Sequence, residues 1–377
     1  MISVTICSPQ RLALGARFDD LVSRAAPNVF MTPAALQAAE ATGFAEISVL
    51  LAVDSAAPDR LLGLWALGRR KPLPLWPETL EALPFYYAFL STPLIDRDQA
   101  DAVMSAFVEA IADEAALPKV MHLSSFDAEA PAYQALRQAL AARGAETLVL
   151  SRQGRPVVSR EVGLKRSGST RKKLRQDWNR LSALGRAEIR NDRTPAAVAA
   201  GFETFLDLEL ASWKGDRGTA ILSREHDAIF ARRLIADLAE QGAASVALLE
   251  LDGRAIAAQV VMYCGRSAYT WKIGFDAAFA RFSPGALLVD KLTEQLFAGP
   301  DIDAIDSCSV ESSFMATLWT GRRPMVELLV DVGPGKSLTF QLEAARLQGL
   351  QQLRGVRNRL RAWRAARPRK PAMAPQP

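Results

Sequence analysis

The spacing of apolar and polar residues divides the chain into two stretches that read alike. In the first, Pro33 to Ala41 carries apolar residues at helical spacing, and Ile47 to Val53 alternates as a half-buried strand does. A polar turn near Asp54 to Asp59 returns the chain into Arg60 to Leu67, which predicts a hairpin. A third apolar segment, Phe85 to Ser91, leads through Pro93 into a long helix with Ala102, Val103, Ala106, Phe107, Ala110 and Ile111 on one face. Lys119 to Leu123 then reads as a strand, Ala130 to Arg143 as a helix closed by Gly144, and Thr147 to Leu150 as a strand.

The second stretch repeats the order. Ala187 to Arg190 is a short strand, and Pro195 to Trp213 a helix whose proline sits in the first turn, where no N–H is needed. Arg224 to Gln241 is a helix closed by Gly242. Ser245 to Leu251 and Arg254 to Tyr263 are strands joined by Asp252-Gly253, residues that accept the positive φ of a two-residue hairpin loop. Ala268 to Phe275 follows as a strand, Pro284 to Ala298 as a helix, Ala304 to Val310 as a strand, Phe314 to Thr320 as a short helix and Val326 to Val332 as a last strand. Both stretches thus run helix, hairpin, strand, helix, strand, helix, strand.

Composition sharpens this picture only in part. A chain of 377 residues that is 49% apolar can fill two cores. Met1-Ile-Ser-Val-Thr lacks a basic-then-apolar leader, and no apolar run is long enough to span a bilayer, so a cytoplasmic protein is expected. The 3 cysteines, Cys7, Cys264 and Cys308, and the 2 histidines, His122 and His226, share no ligand spacing, so neither a disulfide framework nor a metal site is expected.

The net charge of +5 is localised. Lys165 to Arg186 holds 8 basic residues and one acid, Asp177, and Ala344 to Lys370 holds 9 basic residues and no acid. Outside these segments 29 basic residues face 40 acidic ones, so an acidic body carries two basic patches. That distribution argues only weakly for a nucleic-acid-binding protein, which more often spreads cations over an aromatic-rich face, and no DNA partner is expected. Leu174, Trp178 and Leu181 put the first patch on one side of a helix; it reads either as a phosphate-binding face or as a solvated face of a domain-joining helix. In the second, Leu347, Leu350, Leu353, Val356, Leu360 and Trp363 make an amphipathic tail. It suits either contact with an anionic membrane surface or docking on the body, with a disordered Pro-rich end.

The segment from Tyr269 to Phe297 carries the strongest chemical signal. A strand enters the turn Ser283-Pro284-Gly285 and leaves as an apolar helix, and the first turn of a helix presents free N–H groups that can hold a pyrophosphate. The same residues also read as an ordinary helix capped by Ser283.

The repeated order resembles the fold of the GCN5-related acyltransferases in tandem. Together with Ser212-Trp213-Lys214-Gly215, Trp271-Lys272, Ser283-Pro284-Gly285 and Ile305-Asp306-Ser307, it resembles the CelD-type acetyltransferase-like family of cellulose biosynthesis, related in fold to the Fem-type aminoacyltransferases. The resemblance spans roughly residues 20 to 335, with its motifs in the second stretch. It implies a mixed α+β fold of two GNAT-like domains, each a central mixed sheet flanked by helices. Residues 1–160 would form a degenerate first domain, 161–186 a basic linker helix, 187–335 the domain with the acyl-CoA cleft, and 336–377 a basic tail. The phosphate loop of that fold falls on Arg281, Phe282, Ser283, Pro284, Gly285 and Ala286, with Pro284 where glycine is expected. Proline removes one donor and leaves Gly285, Ala286 and Leu287 to donate.

The resemblance further implies that acyl-CoA lies between the strands Tyr269 to Phe275 and Ala304 to Val310, its amides pairing with a sheet edge. Asp306 and Glu311 are the candidate bases; either carboxylate also reads as a structural or solvent-facing group. Trp213, Lys214, Trp271 and Lys272 are candidate acceptor contacts, with Lys272 placed to meet an anionic group or to pair with Asp306. Cys308 reads as a small buried hydrophobe and His226 as a surface residue. The expected activity is acetyl transfer from acetyl-CoA to an amine or hydroxyl of a sugar or polysaccharide precursor, by direct attack. An aminoacyl-tRNA-dependent transferase and an inactive module docking on a polysaccharide machine are the alternatives.

Overall fold

Helix and strand boundaries follow local signals through most of the chain. The computed structural model describes residues 1–333 and 335–366. Its first half contains β1 (Ile2–Cys7), α1 (Ala16–Arg24), α2 (Pro33–Ala41), β2 (Ile47–Asp54), β3 (Ala57–Arg70), β4 (Thr79–Glu81), β5 (Leu94–Ile95), α3 (Ala100–Asp113), β6 (Val120–Asp127), α4 (Pro131–Arg143) and β7 (Glu146–Ser159). The Thr32 side chain accepts from Ala35 N–H to start α2, and Gly144 closes α4 at φ 67°, where its missing Cβ removes the penalty. The connecting helix α5 spans Gly168–Ser182.

The second half continues as β8 (Ala187–Asp192), α6 (Pro195–Leu210), α7 (Trp213–Asp216), α8 (Glu225–Glu240), β9 (Ala244–Leu251), β10 (Arg254–Cys264), β11 (Ser267–Phe275), α9 (Pro284–Ala298), β12 (Ala304–Asp306), α10 (Met315–Leu318), β13 (Gly321–Asp331) and α11 (Leu338–Ala366). All strands join one mixed sheet in the order β1-β2-β3-β4-β6-β13-β7-β12-β11-β10-β9-β8, with β5 beside β3. The two parallel pairs, β4 with β6 and β11 with β12, occupy equivalent places in the two halves. The mixed sheet flanked by helices, and its internal repeat, agree with the expected fold class.

The final strands are exchanged between the halves. β13, from the end of the chain, pairs with β6 of the first half, while β7 of the first half pairs with β12 of the second. β7 and β13 pair with each other along the middle of the sheet, from Gly321↔Val157 to Asp331↔Glu146. Neither half therefore closes its sheet with its own residues.

Three expectations change. Phe85 to Ser91 is not a strand: β4 is the short Thr79–Glu81, and the apolar run beyond it is irregular chain with Phe85, Tyr87, Ala88 and Leu90 buried. A continuous apolar run carries no periodicity, so burial alone produced that pattern. The helix from Pro195 stops at Leu210, because Ser212 Oγ donates to Glu209 O and accepts from Lys214 N–H, starting α7 instead. The strand from Ala304 ends at Asp306, for a reason given below. β1, α1 and the first part of β13 are further elements that hydrophobic spacing did not mark.

Helix α11 docks on the body through Phe340 and Leu347 against Val120 and Leu329, and Gln351 Nε2 donates to Leu150 O at 3.3 Å. The side chains of Val356, Leu360 and Trp363 and residues 367–377, on which the rest of the amphipathic tail was read, lie outside the described residues.

One ionic contact fastens β13 into the first half. His122 is buried on β6 beside Glu81 of β4, with Nδ1 3.0 Å from Glu81 Oε2 and Nε2 2.9 Å from Glu327 Oε1 of β13. Burial opposes the imidazolium, but the hydrogen bonds to Glu327 and Glu81 outweigh it and push the His122 pKa up to about 9. A folded pKa above the unfolded value of ~6.5 gives stability that is complete below that value and lost as pH rises through about 9. Urea unfolding should accordingly show a loss on the order of 2–3 kcal/mol between roughly pH 6.5 and 9.5, and His122→Gln should flatten it.

Candidate functional site

β11 and β12 run in parallel for only three residue pairs, Ser267↔Ala304, Ala268↔Ile305 and Tyr269↔Asp306, and then part. Asp306 makes them part. Its Oδ1 accepts from Cys308 N–H at 2.7 Å, which turns the chain through Cys308 at φ 50° and away from β11. Its Oδ2 accepts from Arg323 Nη1 of β13 at 2.8 Å, with Arg155 Nη1 of β7 at 3.6 Å. Arg323 also reaches Asp127 Oδ2 at 3.4 Å. Beyond this point the edge of β11 that β12 would have covered is open, and Thr270 Oγ1 donates to Asp306 O at 3.2 Å across the gap.

The gap opens into a cavity of about 600 Å³. Ile273 and Phe275 of β11 form its floor, Ser283 to Ala286 at the start of α9 one wall, and Phe314, Thr317 and Leu318 the opposite wall. The basic helix α5 closes the remaining side with Ser169, Thr170, Lys173, Leu174 and Asp177. Leu174 and Leu181 seat α5 in the same core as Leu287 and Leu288 of α9, at about 1.5–3 kcal/mol for each buried leucine. Of the helix's cations Lys173 lines the cavity, while Arg171, Lys172 and Arg175 are exposed elsewhere on the helix.

The N-termini of two 15-residue helices, α5 and α9, meet at this cavity. Ser167 caps α5 by accepting from Thr170 N–H. The turn before α9 differs from the expected donor set. Ser283 adopts φ 53°, ψ 49°, and its carbonyl accepts from Ala286 N–H at 2.9 Å and Leu287 N–H at 3.1 Å, so these two donors are taken. Among the described residues Gly285 N–H is left without a partner in that turn. The Ser283 side chain makes no cap; its Oγ accepts from Lys173 Nζ at 3.1 Å. Lys173, which also pairs with the buried Asp177, supplies a cation where Pro284 removed an N–H. A Cβ on Gly285 would lie 3.2 Å from Ile273 Cδ1, so glycine keeps the helix start close to the cavity floor.

The other candidates are divided. Both Asp306 oxygens are occupied within a buried ion cluster, so the carboxylate shapes the gap rather than taking a proton in it. Nor does Asp306 pair with Lys272. Glu311 is exposed, its Oε2 accepting from Gly154 N–H at 3.3 Å on β7. Arg281 is exposed and lies 4.7 Å over the Phe282 ring. Lys214 is spent internally: its Nζ donates to Glu209 Oε1 at 2.8 Å and to Ile273 O at 2.9 Å, pinning α7 to β11. Trp213 is 53% exposed and stacks with Arg217 at 4.9 Å. Trp271 and Lys272 point to the face opposite the cavity, toward the first half. Lys173 and Asp177 are cavity residues that sequence reading did not single out, although both lay inside the basic helix.

Residues 168–308 match the family described as acetyltransferase (GNAT) domain. That matched stretch carries a GNAT-type acyltransferase domain. The match begins at the first residue of α5 and ends at Cys308, the turn after Asp306, so it takes in the α5 side, the β11 floor and the α9 wall of the cavity, while Phe314, Thr317 and Leu318 lie beyond it. Among solved structures, FemX is similar over 87% of this chain and 96% of its own at 12% identity, with a TM-score of 0.59. A conserved protein of unknown function from Bacteroides thetaiotaomicron is similar over 88% of this chain and 99% of its own, at 15% identity and a TM-score of 0.55. A C-terminal domain of the DUF2156 type from Agrobacterium fabrum covers 88% and 95%, at 15% identity and 0.51. At such identities the likeness establishes the fold, and it includes the first half as well as the GNAT domain. No curated protein matches the chain in sequence.

Because Asp306 holds the buried Arg155 and the partly buried Arg323, Asp306→Ala should cost about 3–5 kcal/mol, as breaking a buried pair leaves charge uncompensated. Guanidinium unfolding measures this; a variant as stable as the parent would show that the cluster does not hold the gap open.

Proposed function

We propose that the chain transfers an acyl group, acetyl from acetyl-CoA, to an amine or hydroxyl of a sugar or cell-surface polysaccharide precursor. The observation that carries the donor side is the cavity where the parted strands, the start of α9 and the basic helix α5 meet. Its apolar floor suits a pantetheine arm, and the open edge of β11 offers backbone groups to the pantetheine amides. Gly285 N–H, Lys173 and the first turn of α5 offer the charge and donors that a pyrophosphate needs. The acceptor class rests on the resemblance to the CelD type. Direct attack by the acceptor fits a site whose described residues place no Ser-His or Cys-His pair at the gap.

A second reading is favoured by one feature. The exposed Arg171, Lys172 and Arg175 on the helix that closes the cavity would equally meet the phosphates of an aminoacyl-tRNA donor. Calorimetry separates the two. On the acyl-CoA reading, acetyl-CoA binds the wild type, Gly285→Asp weakens it by at least about tenfold through blocked approach and repelled phosphate, and Lys173→Glu does likewise. Binding of aminoacyl-tRNA with no heat from acetyl-CoA would establish the second reading. Tight acetyl-CoA binding that Gly285→Asp leaves unchanged would remove the phosphate site from the α9 turn.

A further inference from the structure

β11 changes face partway along its length. Its ladder to β10 pairs Lys272 with Val260 and Thr270 with Val261, so Trp271 is the extra residue of a bulge. Tyr269 and Trp271 pack in the core shared with the first half, whereas Ile273 and Phe275 pack under α9. The inserted residue puts Trp271 and Lys272 on the same face, with Lys272 Nζ 5.9 Å from the Trp271 ring. A regular strand would have sent this lysine toward α9.

The first half builds the chamber that receives it. Lys272 Nζ lies 4.5 Å over the Tyr87 ring and 5.9 Å from the Phe89 ring, both in the irregular segment that follows β4. Trp271 Nε1 donates to Tyr87 O at 3.0 Å and Tyr87 OH donates to Asp227 Oδ2 at 2.5 Å, which fixes that wall to the second half. Among the described residues Lys272 Nζ has no hydrogen-bond acceptor. The nearest carboxylates are engaged: Glu209 receives Lys214 Nζ and Ile221 N–H, and Asp227 receives Tyr87.

The charged and titratable groups around the amine are Glu209 of α6, Lys214 of α7, Asp227 of α8 and Cys308 beyond β12, with the Tyr87 ring beneath it. Burial is the largest influence and pushes the Lys272 amine down to about 8; Glu209 and Asp227 oppose this and Lys214 adds to it. The amine thus lies on the face of β11 opposite the donor cavity, where an acyl group passed between the parted strands would reach it.

We propose that Lys272 is the proton carrier of the transfer, its uncharged amine taking the proton of the attacking acceptor and returning it to the departing thiolate. The inference rests on the acyl-CoA reading above. As the acceptor nitrogen or oxygen bonds to the thioester carbon, it gives its proton to Lys272 Nζ. Collapse of the tetrahedral adduct breaks the carbon–sulfur bond, and the ammonium protonates the thiolate, so Lys272 ends as it began and no further reactant is consumed. Tyr87 and Phe89 then give the first half a part in acceptor binding, as an aromatic wall facing the reacting atoms.

Bromoacetyl-CoA tests the placement without knowledge of the acceptor. An amine at the acyl end displaces bromide and is alkylated, and peptide mass mapping identifies it. The expected result with the full chain is one adduct, on Lys272, blocked by coenzyme A and forming faster as pH rises with a midpoint near 8. Lys272→Met and Lys272→Arg should bind coenzyme A in calorimetry within a factor of about three of the wild type, yet take no label. Coenzyme A binding with no adduct, with an adduct on Lys173 or Lys214, or with a rate indifferent to pH would overturn the proposal while leaving the acyl-CoA reading intact. Absence of coenzyme A binding by the wild type would remove both.

Discussion

The site depends on one buried carboxylate. Asp306 ends β12 by capturing Cys308 N–H and is itself held by Arg323 and Arg155, one from each of the exchanged strands. Parallel strands pair as long as their backbones stay in register. A side chain that takes over the next donor is a direct way to stop them, and the parted edge is what an extended ligand can occupy. Removing two arginines and an aspartate from water carries a desolvation cost that only their mutual contact offsets, so the cluster specifies a geometry more than it adds stability.

The strand exchange gives that cluster its parts. Arg155 belongs to the first half of the chain and Asp306 to the second, so the gap in the GNAT domain cannot form without residues from the other half. The equivalent position in the first half is built with the opposite logic. There Glu81↔His122 is the last pair of β4 and β6, and Glu327 of β13 closes it. The two halves share their strand order, and the first places an ionic contact where the second leaves its strands apart. The first half still contributes to the second, because the irregular chain after β4 lays Tyr87 and Phe89 against Lys272.

Charge had a meaning that net composition hides. The basic patch at 165–186 reads equally as a solvated linker or a phosphate-binding face, and its sequence does not decide between them. Leu174 and Leu181 set the helix's place by packing: they press α5 against α9 and carry Lys173 to Ser283. Lys214 shows the converse. A lysine beside a tryptophan and a glycine looks like a ligand contact, yet it closes a salt bridge with Glu209, because α6 ends above the strand carrying Ile273.

Periodicity by itself determined the repeat, the hairpins at 47–70 and 244–264, and the helix beginning at Pro284, since each depends on neighbours within a few residues. The same local signals marked Ser283 to Leu287 and Lys272 as chemically unusual. What they could not reach was set by contacts between residues more than 100 positions apart. The pairing of β13 with β6, the engagement of Asp306 by Arg155, the approach of Lys173 to Ser283 and the Tyr87 wall over Lys272 all join distant segments. Even the face that Lys272 presents follows from a bulge, which appears only when β11 is paired with β10, because a strand by itself has no register to break.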